Sequence, residues 1–305
     1  MCGLFYLYAI ATHRSFQYYI NMDKLKILLP KGRIYENVIE LFSGAGISIT
    51  LPERAYRPTV NQDDIEAKVM KPQNIGKLLE LGAHDMGFTG RDWIKETNAD
   101  VEEIMDTGFD KVRIVAAVPN HIDDNHLATK KVIVATEYEH IARTWLESKK
   151  INSEIIRTYG ATEVFPPDDA DMIIDNTATG RTLQENGLRI VDTIITSSTC
   201  MFASKKAMQN PEKQKKILEL KMLFEAVIDA RDRVMLEMNV SQEHFDSLVK
   251  GLPSMRSPTV SPLYGNDGYA IKIAVKKSEV PNLLPKLKSL GATDILEYEL
   301  RKVMA

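Results

Sequence analysis

The chain has 305 residues, enough for two or three domains, and no apolar run in it reaches the roughly 20 residues that a membrane-spanning helix needs. Hydrophobic residues make up 44% and charged residues 27% of the sequence, and the formal net charge of -3 gives no strong field that would draw the protein to nucleic acid or a membrane. The two cysteines, Cys2 and Cys200, provide neither a disulfide framework nor a metal-ligand spacing, which favours a reducing, cytoplasmic setting.

The first 22 residues differ in character from the rest of the chain. They are rich in aromatic and apolar residues, and the small residues at 9–12 are compatible with a signal-peptide cleavage site. No basic region precedes the apolar part, and a second methionine, Met22, comes directly before a clear strand. An upstream extension and a targeting signal therefore both stay open for this segment.

Short apolar runs alternate with helical patterns over residues 24–195. The expected strands lie at 25–29, 47–50, 64–70, 86–89, 114–118, 132–135, 155–157, 172–174 and 188–195. The expected helices lie at 34–45, 72–81, 91–97, 138–148 and 179–186. This alternation predicts an α/β fold with mostly parallel sheets covered on both faces, and with ligands at the C-terminal ends of the strands.

The texture of the sequence changes after a long predicted helix at 210–228. The expected strands of the C-terminal part lie at 234–240, near 260, at 269–275 and at 295–298, and its expected helices lie at 242–249 and 280–290. The order β-α-β-β-α-β is that of the ferredoxin-like split unit. The sequence therefore predicts a separate C-terminal domain of that type.

The segment 172–183 carries the strongest chemical signal. An apolar strand ends at Asp175, and a run of small and hydroxyl residues leads into a helix. Backbone N–H groups at a helix N-terminus attract phosphate, threonine hydroxyls add donors, and Gly180 allows close approach. Asp175 is placed to accept hydrogen bonds from ribose hydroxyls. An ordinary strand–turn–helix with threonine capping is the alternative; neither a Walker loop nor a dinucleotide-binding glycine pattern is present.

Further motifs stand in a fixed order around this segment. They are Leu29-Pro30-Lys31-Gly32-Arg33, Arg57-Pro58, Lys71-Pro72-Gln73-Asn74-Ile75, Asp85-Met86-Gly87-Phe88-Thr89-Gly90, Gly160-Ala161-Thr162-Glu163, Asn186-Gly187-Leu188, Ser257-Pro258-Thr259-Val260-Ser261-Pro262-Leu263 and Leu290-Gly291-Ala292. With these motifs, residues 24–303 resemble the long form of ATP phosphoribosyltransferase, the family that catalyses the first step of histidine biosynthesis. The sequence departs from the family at 166–171, which lacks a glycine, and at 1–22, which has no counterpart.

The resemblance implies a two-lobed α/β catalytic part, similar to periplasmic binding proteins (a type IV phosphoribosyltransferase), and a ferredoxin-like, ACT-like regulatory domain. The implied domains are an N-terminal extension at 1–22, a first catalytic domain at 23–118 and 196–228, a second catalytic domain at 119–195, and a regulatory domain at 229–305. A homohexamer built from dimers is expected, without nucleic-acid or membrane partners.

The resemblance also implies an activity. The phosphoribosyl group of 5-phosphoribosyl 1-pyrophosphate passes to N1 of ATP, pyrophosphate leaves, substrate phosphates hold Mg²⁺, and histidine acts as the feedback inhibitor. The implied catalytic residues are Lys31, Arg33, Glu163 and Asp175. The implied phosphoribosyl-pyrophosphate contacts are Asp175, Asn176, Thr177, Ala178, Thr179, Gly180, Arg181 and Thr182. The implied nucleotide contacts are Lys31, Gly32, Arg33, Arg57, Thr89 and Gly90. The implied histidine contacts are Thr259, Ser261 and Ala292.

Two other classes of protein compete with this interpretation. A purine-salvage phosphoribosyltransferase usually has two adjacent acidic residues before its loop, whereas Asn176 follows Asp175 here. A non-catalytic two-lobed ligand-binding or sensor protein would share the fold, and a fold alone does not decide function. The cations Lys31 and Arg33, together with the threonine-rich loop, favour a phosphorylated ligand over a free amino acid or a simple anion.

Overall fold

The computed structural model describes residues 24–52, 55–123, 127, 130–253, 257–265 and 267–304. The extension at 1–22, for which two interpretations are open, lies outside the described residues. Two compact units divide the chain: residues up to 40 with 47–218 form the first, and residues 41–46 with those from 219 form the second. No helix among the described residues is long and apolar enough to cross a membrane.

The first unit follows the predicted alternation of strands and helices. Its elements are β1 (Leu25–Pro30), α1 (Arg33–Ala45), β2 (Ile49–Thr50), β3 (Thr59–Val60), β4 (Ile65–Met70), α2 (Pro72–Glu80), β5 (Met86–Gly90), α3 (Arg91–Thr97), β6 (Glu102–Pro119), β7 (Val132–Thr136), α4 (Glu139–Lys149), β8 (Ser153–Arg157), β9 (Met172–Thr177), α5 (Arg181–Glu185), β10 (Leu188–Ala203), α6 (Lys205–Met208) and α7 (Pro211–Arg231). Helices α1 and α7 extend past the boundary between the two units.

One eight-stranded sheet organises the first unit, in the order β4-β1-β5-β10-β6-β9-β7-β8. Residues 199–203 of β10 pair with β5 and with the first half of β6, whereas residues 188–196 pair with the second half of β6. Strands β6 and β10 therefore belong to both halves of the sheet. This arrangement confirms the two-lobed α/β fold that the sequence predicted.

The expectation of mostly parallel pairing is correct only at the two ends of the sheet. Strands β4, β1 and β5 are parallel, as are β8, β7 and β9, whereas β10 runs antiparallel to β5 and β6, and β6 runs antiparallel to β9. The chain leaves the first half along β6 and returns along β10, so the middle of the sheet has to be antiparallel. The predicted strands at 114–118 and 188–195 are only the apolar parts of these long strands.

Alternating side chains of the second half of β6 cover both faces of the sheet. Ile114, Ala116 and Val118 pack on one face with α4, and Val115 and Ala117 pack on the other with α5. All five are buried. A strand that is covered on both faces is apolar throughout rather than alternating, which is the pattern that made this segment recognisable in the sequence.

The second unit confirms the ferredoxin-like prediction. Its elements are β11 (Arg233–Ser241), α8 (Phe245–Lys250), β12 (Thr259–Pro262), β13 (Gly268–Lys276), α9 (Val280–Ser289) and β14 (Ala292–Glu299). The sheet order is β12-β13-β11-β14, with antiparallel pairs throughout. Every second residue of β11, from Val234 to Val240, points into one hydrophobic core together with residues of α8 and α9.

Gly87 lies in the middle of β5, where β1 approaches closely. A Cβ atom at this position would lie 2.9 Å from the Cβ of Leu28 and 3.0 Å from its carbonyl oxygen. Because a backbone oxygen in a paired strand cannot rotate away, we expect Gly87→Ala to lower the free energy of unfolding by about 1–3 kcal/mol, as measured by urea denaturation.

Gly76→Ala is the matched control, because Gly76 is also buried but lies in helix α2. The nearest atom to a Cβ there is the Cδ1 of Ile94, at 2.8 Å, which is the movable end of a side chain. Alanine also favours a helix over glycine by about 1 kcal/mol. Equal losses in the two variants would show that crowding against the β1 backbone is not what makes Gly87 necessary.

A candidate active site at the end of strand β9

Strand β9 delivers Asp175 and Thr177 beside the central strand β6. Val115 pairs with Asp175, and Arg113 pairs with Thr177, in the antiparallel register of the two strands. Glu163 lies in a 3-10 turn at Thr162–Val164, where its charge acts on the Asp175 carboxylate. The structure therefore brings together Glu163 and Asp175, two of the four catalytic residues that the resemblance implied.

The threonine-rich loop after β9 is closed by its own side chains. The Thr177 hydroxyl accepts a hydrogen bond from the Gly180 N–H at 2.9 Å, and the Thr179 hydroxyl accepts one from the Arg181 N–H at 3.3 Å. Gly180 has φ of +84°, a conformation that favours glycine. Ala178 and Thr182 are exposed. The loop thus shows the predicted strand–turn–helix, and its threonines cap the turn as the simpler alternative requires.

Arg181 is not a free cation, because its Nε donates to the Glu185 carboxylate at 2.7 Å. Helix α5 has only five residues. A helix this short has a small dipole, so most of the attraction for an anion has to come from nearby side chains.

Burial raises the pKa of Asp175 to about 6 from its usual 3.8, and the charges of Glu137 and Glu163 act in the same direction. Hydrogen bonds from the Asn176 N–H, at 2.6 Å, and from the Thr162 hydroxyl oppose this rise in the pKa. The carboxyl group is therefore ionised at neutral pH but lies in an environment that disfavours its charge. Such a group gains from a cation or from hydroxyl donors on a ligand.

A cavity of about 290 Å³ lies beside the loop and contains three basic side chains. Arg91, Lys111 and Arg113 line it together with Ala178. Arg91 is held by the carboxylates of Glu103 and Asp106 at 2.6 and 3.1 Å, and these hydrogen bonds raise its pKa. Neither Lys111 nor Arg113 is in an ion pair with any residue that the structure describes. Their positive charge is therefore available to an anion.

Sequence reasoning missed Lys111 and Arg113. Both precede the apolar run 114–118, in a polar stretch that the sequence did not identify as strand. The register that sets Arg113 beside Thr177 depends on long-range pairing of strands that are far apart in sequence. The available signal was the chain position itself, since both cations lie directly before the apolar, buried part of the strand.

A second cavity, of about 280 Å³, lies between the start of α2 and the loops after β7 and β8. Lys71, Gln73, Trp93, Glu137 and Tyr159 are among its lining residues. The Oε1 atom of Gln73 is buried there and makes no hydrogen bond. A buried acceptor without a donor is uncommon in folded proteins.

The residues proposed for nucleotide binding follow the first strands of the sheet. Lys31 and Gly32 follow β1, with the Lys31 ammonium 5.5 Å from the centre of the Tyr56 ring. Arg33 is exposed and lies 3.6 Å from the Asp110 carboxylate. Arg57 donates to the Glu66 carboxylate.

Two further proposed contacts, Thr89 and Gly90, end strand β5. Thr89 is fully buried, and its hydroxyl donates to the Pro72 carbonyl at 3.0 Å. Gly90 is buried as well. A Cβ at Gly90 would lie 2.1 Å from the Asp92 carboxylate, so this turn requires glycine.

The residues proposed for histidine binding lie at two edges of the second unit's sheet. Thr259 and Ser261 are exposed on the edge strand β12, whereas Ala292 is buried on the opposite edge strand, β14. Strands β13 and β11 lie between them. With strands spaced about 4.8 Å apart, the two groups are on the order of 14 Å apart within one chain.

The fold and this site define an α/β protein that binds phosphorylated sugars or nucleotides, with an acid at the end of a strand, a threonine-rich turn after it and cations beside it. A family model for ATP phosphoribosyltransferase matches residues 71–226, and one described as the HisG C-terminal domain matches residues 230–302.

The ATP phosphoribosyltransferase of Chlorobium phaeovibrioides is 39% identical over 289 residues, which are 92% of this chain and 97% of that protein. The enzyme of the same description from Thermodesulfovibrio yellowstonii is 37% identical over 92% of this chain and 98% of its own length. Among solved structures, an ATP phosphoribosyl transferase (HisG:HisZ) complex from Thermotoga maritima superposes with a TM-score of 0.60 at 28% identity, covering 66% of this chain and 98% of that one. The chain belongs to the ATP phosphoribosyltransferase family. This membership confirms the resemblance and does not support the alternative of a non-catalytic sensor protein.

The raised pKa of Asp175 has a consequence for stability. The carboxyl group takes up its proton near pH 6 in the folded chain and near its usual 3.8 in the unfolded chain. The folded state therefore binds more protons between those values, and stability falls as the pH rises through them. We expect Asp175→Asn, which resembles the protonated form, to be more stable than the parent by on the order of 2 kcal/mol at pH 8.

Thermal unfolding at pH 8 and at about pH 4 measures this difference, which should shrink at the lower pH because the parent is then protonated. The same substitution should remove catalytic activity if the carboxylate contacts the substrate. A variant that is less stable than the parent at pH 8 would show that the ionised carboxylate stabilises the fold.

Proposed function

We propose that the chain transfers the phosphoribosyl group of 5-phosphoribosyl 1-pyrophosphate to N1 of ATP and releases pyrophosphate, as the first step of histidine biosynthesis. The observation that carries the proposal is the position of Asp175, a partly buried acid between a threonine-rich turn and a group of basic residues. Membership of the family supplies the reaction. The site supplies the groups that such a reaction needs.

The reaction needs positioning and electrostatics more than a nucleophile from the protein. Transfer at C1 of a ribosyl group passes through an oxocarbenium-like transition state, in which positive charge develops on the sugar. Asp175 is ionised above about pH 6. Its negative charge, together with those of Glu137 and Glu163, would stabilise the positive charge that develops on the sugar. Holding N1 of ATP against C1 reduces the entropic cost of bringing two substrates together.

The phosphate groups of the phosphoribosyl donor would bind on either side of Asp175. The loop from Asp175 to Thr182 would hold the 5-phosphate of the donor through its backbone N–H groups and exposed hydroxyls. Lys111 and Arg113, in the neighbouring cavity, would hold a second phosphate group, such as that of the departing pyrophosphate. The residues Lys31, Gly32 and Arg33, with Arg57 and the Thr89–Gly90 turn, would face the nucleotide.

The family uses a divalent metal ion, and we propose Mg²⁺. Among the described residues, no group of three or more His, Cys, Asp or Glu side chains is arranged to hold a metal by itself. Asp175 and Glu163 still fit Mg²⁺, because this ion commonly takes one or two carboxylates and completes its shell with water and substrate phosphates. When bound, the ion would neutralise the charge of the leaving pyrophosphate.

The further properties of the long form are also proposals for this chain. They comprise the catalytic domains at 23–118 with 196–228 and at 119–195, the regulatory domain at 229–305, a cytoplasmic location and a homohexamer of dimers. Histidine would bind the regulatory domain near Thr259, Ser261 and Ala292. The two edges that carry these residues are far apart within one chain. Either Thr259 and Ser261 contact a different histidine molecule from the one near Ala292, or a second copy of the chain completes a shared site.

The decisive experiment incubates the purified full-length chain with ATP, 5-phosphoribosyl 1-pyrophosphate and Mg²⁺. We expect N1-phosphoribosyl-ATP to form, detected by its ultraviolet absorbance and by mass spectrometry, and the rate to fall when histidine is added. Omitting either substrate is the control. Absence of product over a range of pH and salt would sink the proposal, and product formation without any effect of histidine would remove only the regulatory part.

Arg113 provides a sharper test of the site. Replacing it by glutamine removes one charge-assisted contact with a phosphate group, worth about 1.5–3 kcal/mol, so we expect kcat/KM for 5-phosphoribosyl 1-pyrophosphate to fall about 10–100-fold. Steady-state kinetics measures the change. Lys131→Gln is the matched control, since Lys131 pairs with Glu154 on the surface, at 2.7 Å, and should be neutral. Equal kinetics for Arg113→Gln and the parent would exclude a phosphate contact at this position.

A further inference from the structure

A chain of buried hydrogen bonds connects the two halves of the main sheet behind the site. Asp92, in the first turn of α3, is 4% exposed. Its two carboxylate oxygens accept hydrogen bonds from different hydroxyl groups, that of Ser197 on β10 at 2.6 Å and that of Tyr138 at 2.8 Å. Tyr138 directly precedes helix α4, so this bond joins an element of the first half to an element of the second.

The chain continues from Tyr138 to Asp175. The Asn176 side-chain amide donates to the Tyr138 oxygen at 3.2 Å and lies 3.2 Å from a carboxylate oxygen of Asp175. The Asn176 backbone N–H donates to that same carboxylate oxygen at 2.6 Å. One residue therefore contacts the Asp175 carboxylate with two donors, and the orientation of its side chain depends on Tyr138.

The direction of these hydrogen bonds is fixed by chemistry. An ionised carboxylate can only accept, so the Tyr138 hydroxyl must donate its single proton to Asp92. Its oxygen is then an acceptor, and it can hold an Asn176 amide only by the NH₂ end. Burial raises the pKa of Tyr138 and the charge of Asp92 raises it further, so the hydroxyl keeps its proton throughout the working range of pH.

The ring of Tyr138 is held independently of its hydroxyl. Trp93 stacks on it with the ring centres 4.6 Å apart. Glu96, one turn further along α3, accepts hydrogen bonds from the backbone N–H groups of His140 and Ile141, each at 3.0 Å, and so caps helix α4. The tyrosine oxygen is consequently presented to Asn176 from a rigid support, since a fully packed aromatic ring has little rotational freedom.

We propose that Tyr138 is a positioning residue for the phosphoribosyl-transfer reaction: held by Asp92, it orients Asn176 and thereby fixes the Asp175 carboxylate toward the substrate. This inference rests on the function proposed above, because it assigns Asp175 a place in that reaction. It adds Tyr138 and Asp92, which lie outside the threonine-rich loop and are not among the substrate contacts proposed above. It also makes the geometry of the acid in the second half of the sheet dependent on a residue of the first half.

The central experiment replaces Tyr138 by phenylalanine, which retains the ring and its stack on Trp93 but removes the hydroxyl. Without its anchor, the exposed Asn176 side chain turns toward solvent and donates less to Asp175. We expect kcat to fall about 10–100-fold with little change in KM for ATP, because the fall comes from a misplaced Asp175 carboxylate and not from weaker substrate binding.

Glu96→Gln is the matched control. It weakens the contact between α3 and α4 without touching the Tyr138 hydroxyl or Asn176, and it leaves the charges that face Asp175, those of Glu137 and Glu163, in place. Its kcat should stay close to that of the parent. A fall in kcat in Glu96→Gln equal to that in Tyr138→Phe would overturn the proposal, because any loosening of the fold would then suffice.

A double-mutant cycle tests whether Tyr138 acts through Asn176. If it does, Tyr138→Phe should have almost no further effect on kcat in a chain that already carries Asn176→Ala, whereas independent residues would give multiplied effects. Multiplied effects would overturn the proposal.

The nitrogen-15 resonance of the Asn176 side-chain amide, compared between the parent and Tyr138→Phe, separates this inference from the function on which it rests. A parent that shows no transfer would remove the function, whereas an unmoved Asn176 amide resonance would remove the positioning role.

Discussion

The antiparallel pairing of β6 with β10 is the constraint on which the first unit depends. These two strands are the only described ones that take part in both halves of the eight-stranded sheet, so they hold the two hydrophobic cores in one structure. They also set the site. Arg113 on β6 lies beside Thr177 on β9, and Ser197 on β10 binds Asp92. Fold and site therefore share the same ladder of backbone hydrogen bonds.

Local patterns in the sequence were sufficient for most of the elements. Apolar runs bounded by glycine or proline, such as Leu25–Pro30 and Met86–Gly90, became the buried strands, and the ferredoxin-like order of the C-terminal unit followed from periodicity alone. The first half of β6 was missed because its residues are mostly polar and its strand character comes from pairing with residues 199–203. Long-range pairing of this kind leaves little trace in a local window of sequence.

The site shows the same division between local and long-range information. Asp175 and its loop could be found from the sequence because strand, acid, threonines and glycine follow one another in the chain. Tyr138 and Arg113 could not, since each reaches the site from a different element and neither carries a motif. The raised pKa of Asp175 is likewise a product of the folded surroundings, namely burial and the two neighbouring acids. The sequence identifies the acid and the phosphate-binding loop, and the fold determines which other side chains set the pKa and the orientation of that acid.

The register between β6 and β9 also bears on how this chain tolerates insertions and deletions. Side chains of a strand alternate between the two faces of a sheet, so the loss or gain of one residue before Arg113 would turn its guanidinium to the face that packs on α4. The same shift would bring Ile114 to the face of the threonine-rich loop. Exchanges of one side chain for another on the exposed parts of β6 leave this arrangement intact, whereas a change in the number of residues does not. The length of the strand is thus as much a part of the site as the arginine that it carries.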